Sequence, residues 1–562
     1  MGAILGILDT SLKSLQSQQI ALEVSSHNIA NVNTPGYSKQ SAVMETTNPA
    51  SLGSVGQLGT GVMVSHIERT HDNFTTNQIN LQEQYYGSAT AKKATLTAAE
   101  MVFNESNGGG LGSAISDFFN AWESLAGRPE SSAERTGVVQ SANNLVSEFS
   151  RVYEHVSGVK DESDRSISSV VDQINDLSSE ITDLNVQIQS IEAGGQHAND
   201  LRDKRDLLIQ QISELVGVHS LEADDGLVSI VLPGGISLVQ GISYNSLSVT
   251  NGSSGSVVNL VDSTGTVTDI TSRISGGKLG GNIQARDDDI KSYLDTLNDL
   301  AARIVIEVNK VHYGGYGLDG STGNLFFTQV PLTSSADSSN TGGASISTGT
   351  ISDPTALTAD DYEIRFTSSS AYDVVNTTTG TTVATGSGYT SGGNITDIPG
   401  ITVVITDGGG APAAGDIFSV GINKTGMAKG ISVSSAVASS TDKIAAATED
   451  PISVSGTGDN RNALAIGDLT DSDTMNAGTA TFGEAYSFLV SDVGYASSQA
   501  EKDENLYDLS IQELTNLRDS VSGVSIDEES VNLIKYQNAY SAAARMFNVA
   551  KDLMDILVNL GR

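Results

Sequence analysis

The feature that most restricts the fold is the final stretch, Ser525 to Leu560. Ser525 and Glu528 have capping-box spacing, and Asp527 and Glu529 add negative charge where the helix dipole favours it. Apolar side chains then recur at alternating steps of three and four. Ile526, Leu533, Tyr540, Phe547 and Met554 make one row, and Tyr536, Ala543, Ala550 and Leu557 the other. No Gly or Pro intervenes before Gly561, which predicts one helix about 50 Å long. So narrow a stripe cannot serve a helix buried all round; it needs a facing partner, in this chain or on another molecule.

The other end of the chain supplies the best match. Leu8, Leu15, Leu22 and Ile29 stand seven apart, and Leu5 and Leu12 open a second row that turns polar at Gln19 and Ser26. Such spacing favours a helix–helix seam over an ordinary surface helix. Pro35 denies Thr34 the helical conformation, and Pro35-Gly36 suits a type II turn with Gly in the left-handed position. A rigid corner is expected directly after the N-terminal helix.

Between the ends the pattern changes several times. Gly59–Arg69 reads as one short strand. Leu111, Ile115, Phe118, Trp122 and Leu125 keep helical steps, as do Val138, Ala142, Leu145, Phe149, Val152 and Val156. Ile167, Val170, Ile174, Leu177, Ile181, Leu184, Ile188 and Ile191 hold heptads, and Leu201, Leu208, Ile212 and Leu215 return after Gly194-Gly195. This predicts an αα-hairpin, with Arg202, Asp203, Lys204, Arg205 and Asp206 as a solvated face near its tip. Val228–Leu232 and Ile236–Val239 flank Gly234-Gly235 as a hairpin. A helix follows over about 282–312, with Asp287, Asp288 and Asp289 in its first turns. Short alternating strands over 330–425, among them Tyr362–Phe366, Ile401–Ile405 and Asp416–Ile422, predict an inserted antiparallel β-domain. Residues 430–475 read as irregular, and helix returns near 480.

The fold class expected is therefore multidomain α+β and elongated: terminal helices pairing as a coiled coil, a helical rod domain and an inserted antiparallel β-rich domain. The segments are 1–58, 59–217, 218–281, 282–328, 329–430, 431–522 and 523–562. Their near-palindromic order suggests a molecule folded back so that both termini meet, with the β-domain furthest from them.

Composition removes several functions. A net charge of −37 argues against nucleic acid and anionic membrane surfaces. With no cysteine there is no disulfide, thiolate metal site or cysteine nucleophile. No segment approaches the apolar length of a bilayer span, and the start lacks the basic region of a Sec signal. His27, His66, His71, His155, His197, His219 and His312 are scattered, and no serine elbow, P-loop or zinc spacing occurs. His66 and His71 lack a third ligand, and Asp319, Ser321 and Asn324 lack the closing bidentate carboxylate of a calcium loop. No catalytic, cofactor or metal site is expected.

The run Asn28-Ile-Ala-Asn-Val-Asn-Thr-Pro-Gly-Tyr-Ser-Lys-Gln40 resembles the N-terminal signature of the bacterial flagellar rod, hook and hook-associated proteins. Gly523–Glu529 and Leu533–Tyr540 resemble their C-terminal signature. Asn28, Ala30, Asn31, Thr34, Pro35, Gly36 and Tyr37 carry the turn motif. The helical hairpin at 160–217, with Asp200–Leu208, Leu238–Gly241, Gly277–Gly281 and Asp319–Phe327, is similar to family members at the junction between hook and filament. The resemblance implies a structural protein whose terminal helices pair within the axial tube and polymerise. It implies as partners other copies of the chain, the hook protein, hook-associated protein 3, the flagellar type III export apparatus and a cytosolic export chaperone at the C-terminal helix. It also implies location in the extracellular flagellum after export from the cytoplasm. Another axial protein of the family and a secreted surface adhesin are the alternatives.

Overall fold

The computed structural model describes residues 2–51, 56–105, 109–253, 255–454 and 456–560. Gly561, the expected helix stop, lies outside them. The helices are α1 (Gly2–Ala30), α2 (Asn73–Phe103), α3 (Leu111–Gly127), α4 (Ser132–Glu192), α5 (Asn199–Leu215), α6 (Gly277–Gln284), α7 (Lys291–Gly314), three short turns α8 (Met427–Gly430), α9 (Ser435–Ser439) and α10 (Arg461–Gly467), then α11 (Phe482–Ser522) and α12 (Ile526–Leu560). They group into two compact units, one of residues 1–94, 163–285 and 499–562, the other of 95–162 and 286–498.

In the first unit α1 and α12 pack along one another. Strands β1 (Gln40–Thr46) and β4 (Val62–Arg69) pair antiparallel beside α1, with the two-residue β2 (Ala50–Ser51) and β3 (Gln57–Leu58) between them in the chain. The single strand expected at 59–69 is thus half of a hairpin. Gln40-Ser-Ala-Val-Met-Glu-Thr46 alternates too weakly to announce its partner, because that hairpin is buried only in part. The core joins Ile167, Ile174 and Ile181 of α4 to Leu208 and Ile212 of α5. It continues into Ile230 and Leu238 of the sheet β5 (His219–Glu222), β6 (Val228–Leu232), β7 (Ile236–Gln240), β8 (Ser243–Tyr244). Strands β9 (Ser246–Asn251), β10 (Ser256–Val261) and β11 (Val267–Asp269) form a further sheet in the order β11-β10-β9.

In the second unit an aromatic core forms where α3, α7 and α11 contribute. Phe118, Phe119 and Trp122 pack with Phe326, Phe327, Phe482 and His312, all essentially without exposure. The three–four steps of Phe118, Trp122 and Leu125 place them on this face. The β insert holds a five-stranded sheet ordered β12 (Leu332–Ala336), β19 (Ile417–Ile422), β14 (Tyr362–Phe366), β15 (Ala371–Asn376), β16 (Thr381–Ser387). A three-stranded sheet is ordered β13 (Ser345–Ile351), β18 (Ile401–Thr406), β17 (Asn394–Ile398). Tyr372 of the first donates to Asp397 of the second at 2.6 Å. Alternation in Tyr362–Phe366 and Ile401–Thr406 matches buried and outer positions residue by residue.

The structure corrects two expectations. The helix expected from 282 begins at Gly277 and passes through a π-helical segment, Ala285–Ile290, into α7. Asp287–Asp289 therefore lie inside a helical run rather than at its start, and the helix dipole does not account for them. Arg286 pairs with Asp287 instead, at 2.8 Å. Residues 430–475 hold α9 and α10 besides irregular chain; both helices are too short for periodicity to reveal.

Candidate assembly interface

The corner after α1 is built from Asn28. Its side-chain amide donates to the Gln40 carbonyl (2.8 Å), and its oxygen accepts from the Gln40 amide (3.0 Å) and the Tyr37 hydroxyl (2.8 Å). One buried asparagine thus pairs with backbone as a neighbouring strand would, and fixes where β1 leaves the helix. Asn31 donates to the His27 carbonyl and accepts from the Thr34 hydroxyl. Tyr37 N donates to Thr34 O at 3.2 Å, and Gly36 has φ 75, a left-handed value that costs glycine nothing. These bonds give Asn28, Asn31, Thr34, Gly36 and Tyr37 each a physical task.

The corner rests on the start of α5. Ser38 N donates to Asp203 (2.8 Å), Gln40 to Asp200 (2.6 Å), and Arg69 of β4 to both Asp203 and Asp206 (2.7 Å each). Arg205 is fully buried and donates to Asn185, the Gly226 carbonyl and Glu222. The solvated face expected at Arg202–Asp206 is therefore wrong for Asp203 and Arg205. Their partners Ser38, Arg69, Asn185 and Glu222 lie too far away in sequence for any local pattern to show. Burial opposes the charge of Arg69, yet Asp206 and Asp203 hold its pKa above the ordinary arginine value. Burial pushes Asp203 above the usual carboxylate range despite its bonds to Ser38 and Arg69. Burial, then Asp200, Asp203 and Glu529, push the Tyr37 phenol well up, so it remains a donor.

Both terminal helices meet at this corner. Lys39 N donates to Ser522 O at 2.8 Å, and Lys39 Nζ reaches Glu528 at 3.4 Å. The start of α12 therefore lies beside the end of α1, and the two helices run antiparallel. Glu528 N donates to the Ser525 hydroxyl at 3.4 Å, one arm of the expected capping box; Lys39 takes the carboxylate that would form the other.

Along the pair, the α12 side chains turned inward are Glu529, Ala543 and Ala550, fully buried, with Leu533, Tyr536, Phe547 and Met554 half-buried. On α1 the buried face is Ser11, Ser17, Ala21, Val24, Ser25 and Asn28. The seven-step row Leu8, Leu15, Leu22 and Ile29 is half-buried beside it, while Leu5 and Leu12 are exposed. Ala543 and Ala550 stand in the row expected of α12, whereas the α1 face with Ser17 and Asn28 turns to the β1–β4 hairpin and was not expected. Ile526, Tyr540 and Leu557 also stay exposed, and Val531, Ile534, Met546, Val549, Leu553, Ile556 and Val558 join them. The outer face of α12 is thus apolar and uncovered within this chain.

Nothing at the corner has the arrangement of a reactive centre. Among the described residues no three or more His, Cys, Asp or Glu are grouped to hold a metal ion, and no helix is long and apolar enough to cross a membrane. The Asp319 carboxylate accepts from Ser321 N and Oγ, and Asn324 donates to that same hydroxyl, so the loop's polar groups serve the turn.

Family models match three stretches: the flagellar hook-associated protein FlgK helical domain over 96–327, flagella basal body rod protein over 8–37, and the flagellar basal body rod FlgEFG protein C-terminal region over 518–560. Flagellar hook-associated protein 1 of Escherichia coli (strain K12) is 29% identical over 99% of this chain and 99% of its own. That of Bacillus subtilis (strain 168) is 27% identical over 98% of this chain and 97% of its own. The solved flagellar hook junction protein FlgK from Burkholderia pseudomallei is similar in fold, with TM-score 0.62 and 22% identity over 79% of this chain and 100% of that one. The corner and helix pair fall in the stretches matched by the two rod-protein models, and the aromatic core in the helical-domain match. Along nearly its whole length the chain is thus similar to flagellar hook-associated protein 1, and those relatives are structural proteins of the flagellum rather than enzymes.

Proposed function

We propose that the chain forms the junction layer between hook and filament and polymerises through its paired terminal helices. The observation that carries this reading is the uncovered apolar face of α12, from Val531 and Ile534 to Met546, Val549, Leu553 and Ile556. A solvent-exposed apolar row on a helix whose opposite side is already packed is stable only where something covers it. Neighbouring copies, the hook protein and hook-associated protein 3 are the partners the family reading supplies. The surface has a second use before assembly. A cytosolic chaperone groove would take the same row while the chain awaits the type III export apparatus, by the helix-in-groove mode. Leu5 and Leu12 of α1 and Leu557 of α12 are exposed apolar residues of the same assembly surface, Ile526 and Tyr540 are exposed members of the row that also carries Leu533, and Leu8, Leu15, Leu22, Ile29, Leu533, Tyr536, Ala543, Phe547, Ala550 and Met554 hold the pair together.

The two roles separate in one experiment. Leu553→Asp, on the outer face, is expected to leave thermal unfolding unchanged within about 0.5 kcal/mol and to abolish incorporation at the hook tip, scored by immunogold labelling and by shed flagellin. Phe547→Asp, inside the pair, is expected to unfold the pair as well. Normal incorporation of Leu553→Asp refutes the reading.

A further inference from the structure

His66 of β4 and His197, in the segment between α4 and α5, are distant in sequence and come together in the first unit. Their ring centroids are 5.0 Å apart and the planes are tilted by 50°. The meeting is fixed from both sides. The Asn199 side-chain amide donates to the Ile67 carbonyl at 2.9 Å, which fastens the segment carrying His197 to the strand carrying His66. Ala198 N donates to Glu192 of α4 at 3.2 Å, and Arg202 holds that same carboxylate at 2.7 and 2.8 Å. Ala198 and Asn199 are buried, whereas His197 is exposed and His66 half-buried. Among the described residues no hydrogen bond engages a nitrogen of either ring, and the Glu68 carboxylate stands 4.0 Å from His66 Nε2. His312 differs, with both its nitrogens taken by backbone, and His27 Nδ1 faces the Tyr37 hydroxyl.

We propose that His66 and His197 chelate one imidazole-preferring divalent ion, of the nickel and zinc class, and that the ion ties β4 to the start of α5. With a metal–nitrogen bond of about 2.0–2.1 Å, an ion in line with a ring nitrogen stands about 3.2 Å from that ring's centroid. At the observed centroid separation of 5.0 Å the two bonds then meet at about 100°, close to the tetrahedral angle. Rotation about χ2 swings the nitrogens while the centroid hardly moves, and that torsion is broad for histidine. Neutral imidazole suits nickel, copper and zinc, whereas magnesium and calcium prefer oxygen ligands. Among the described residues no set of three His, Cys, Asp or Glu closes around the pair, so water fills the remaining positions and the ion exchanges with solvent. The Glu68 carboxylate and the chain's net charge of −37 favour the approach of a cation. An ion held by both segments at once binds only the folded arrangement, and so it stabilises the contact on which Arg69 and Asp203 also lie.

The full chain is titrated by calorimetry with nickel chloride, zinc chloride and magnesium chloride, and amide hydrogen exchange is followed with and without nickel. One saturable nickel site is expected, with zinc competing for it and magnesium not. His66→Gln and His197→Gln should each weaken it about hundredfold, since one imidazole is no chelate, and Asn199→Ala about tenfold by releasing the segment. His155→Gln, at an exposed histidine of the other unit, should change nothing. His197 is exposed and its ring bonds nothing in the chain, so His197→Gln leaves folding intact. Nickel should slow exchange at Val64–Arg69 and Ala198–Arg202 together, which ligation by one histidine would not do. The proposal is overturned if nickel and zinc find no saturable site, if either His66→Gln or His197→Gln binds as the parent does, if magnesium competes equally, or if exchange in the two segments does not respond to nickel.

Discussion

Helices α7 and α12 have similar three–four patterns and very different surroundings. In α7 Leu297, Ala301, Ile304 and Val308 have no exposure, and Leu300, Val305 and Ile306 on neighbouring faces are buried too. Among the described side chains of α12 only Ala543, Ala550 and Glu529 are buried, and large apolar side chains remain in water along its outer side. The first helix is complete within the chain. The second has half of its apolar surface provided for. Periodicity reports that a helix has a face to bury, and the number of faces buried is a property of what surrounds it.

The sharpest way to test the contrast is truncation in each place. Phe326→Ala, which removes a ring packed against Phe118, Trp122, His312 and Phe327, should cost about 3–5 kcal/mol in chemical denaturation. Leu553→Ala on α12 should cost well under about 1 kcal/mol in the same assay. Equal losses would break the comparison.

Acid should separate the regions next. His312 is fully buried, bonds the Asn324 carbonyl through Nδ1 and accepts from Ala445 N at Nε2, so it is held neutral; burial, foremost, lowers its pKa from 6.5 to about 4. A depressed folded-state value means stability that is whole above pH 6.5 and lost as the pH falls toward 4. The loss amounts to about 3 kcal/mol across that window. Trp122, the single tryptophan, packs edge-on to His312 and reports it by fluorescence. His27, the histidine nearest the helix pair, is exposed and far from that probe in sequence. An acid midpoint for Trp122 fluorescence that does not respond between those pH values would contradict this assignment.

A smaller effect is expected at the corner. Asn28→Ala strands the Gln40 amide and carbonyl and leaves the Tyr37 hydroxyl only its contact with His27 Nδ1, a loss of about 2–3 kcal/mol. Hydrogen exchange should then rise at Gln40 and at the start of α12, but not in α7.

Much of this was legible from the residues, and the exceptions share a cause. Val138–Val156 and Ile167–Ile188 face cores because both parts of α4 present a long apolar row to a wide surface. The Thr34–Tyr37 turn was legible because Pro35 fixes its own backbone and Gly36 accepts the left-handed conformation the turn needs. The clamp by Asn28 and the burial of Arg205 were not, since a polar side chain is read as solvated until its distant partners are known. The same holds for Ser11, Ser17 and Ser25. Ser17 donates to the Val62 carbonyl of β4 and Ser11 to the Ile7 carbonyl of its own helix, and a serine whose hydroxyl is met by backbone looks the same in sequence as one in solvent.

The bond from Lys39 N to Ser522 O, with the Lys39–Glu528 contact 489 residues apart in sequence, has a consequence in time. A chain leaving the ribosome has made α1 and its turn long before α12 exists. Closing so large a loop is slow and contributes nothing until it is nearly finished. The seam with α12 is therefore among the last contacts to close, while those of α1 with β1 and β4 need only nearby chain.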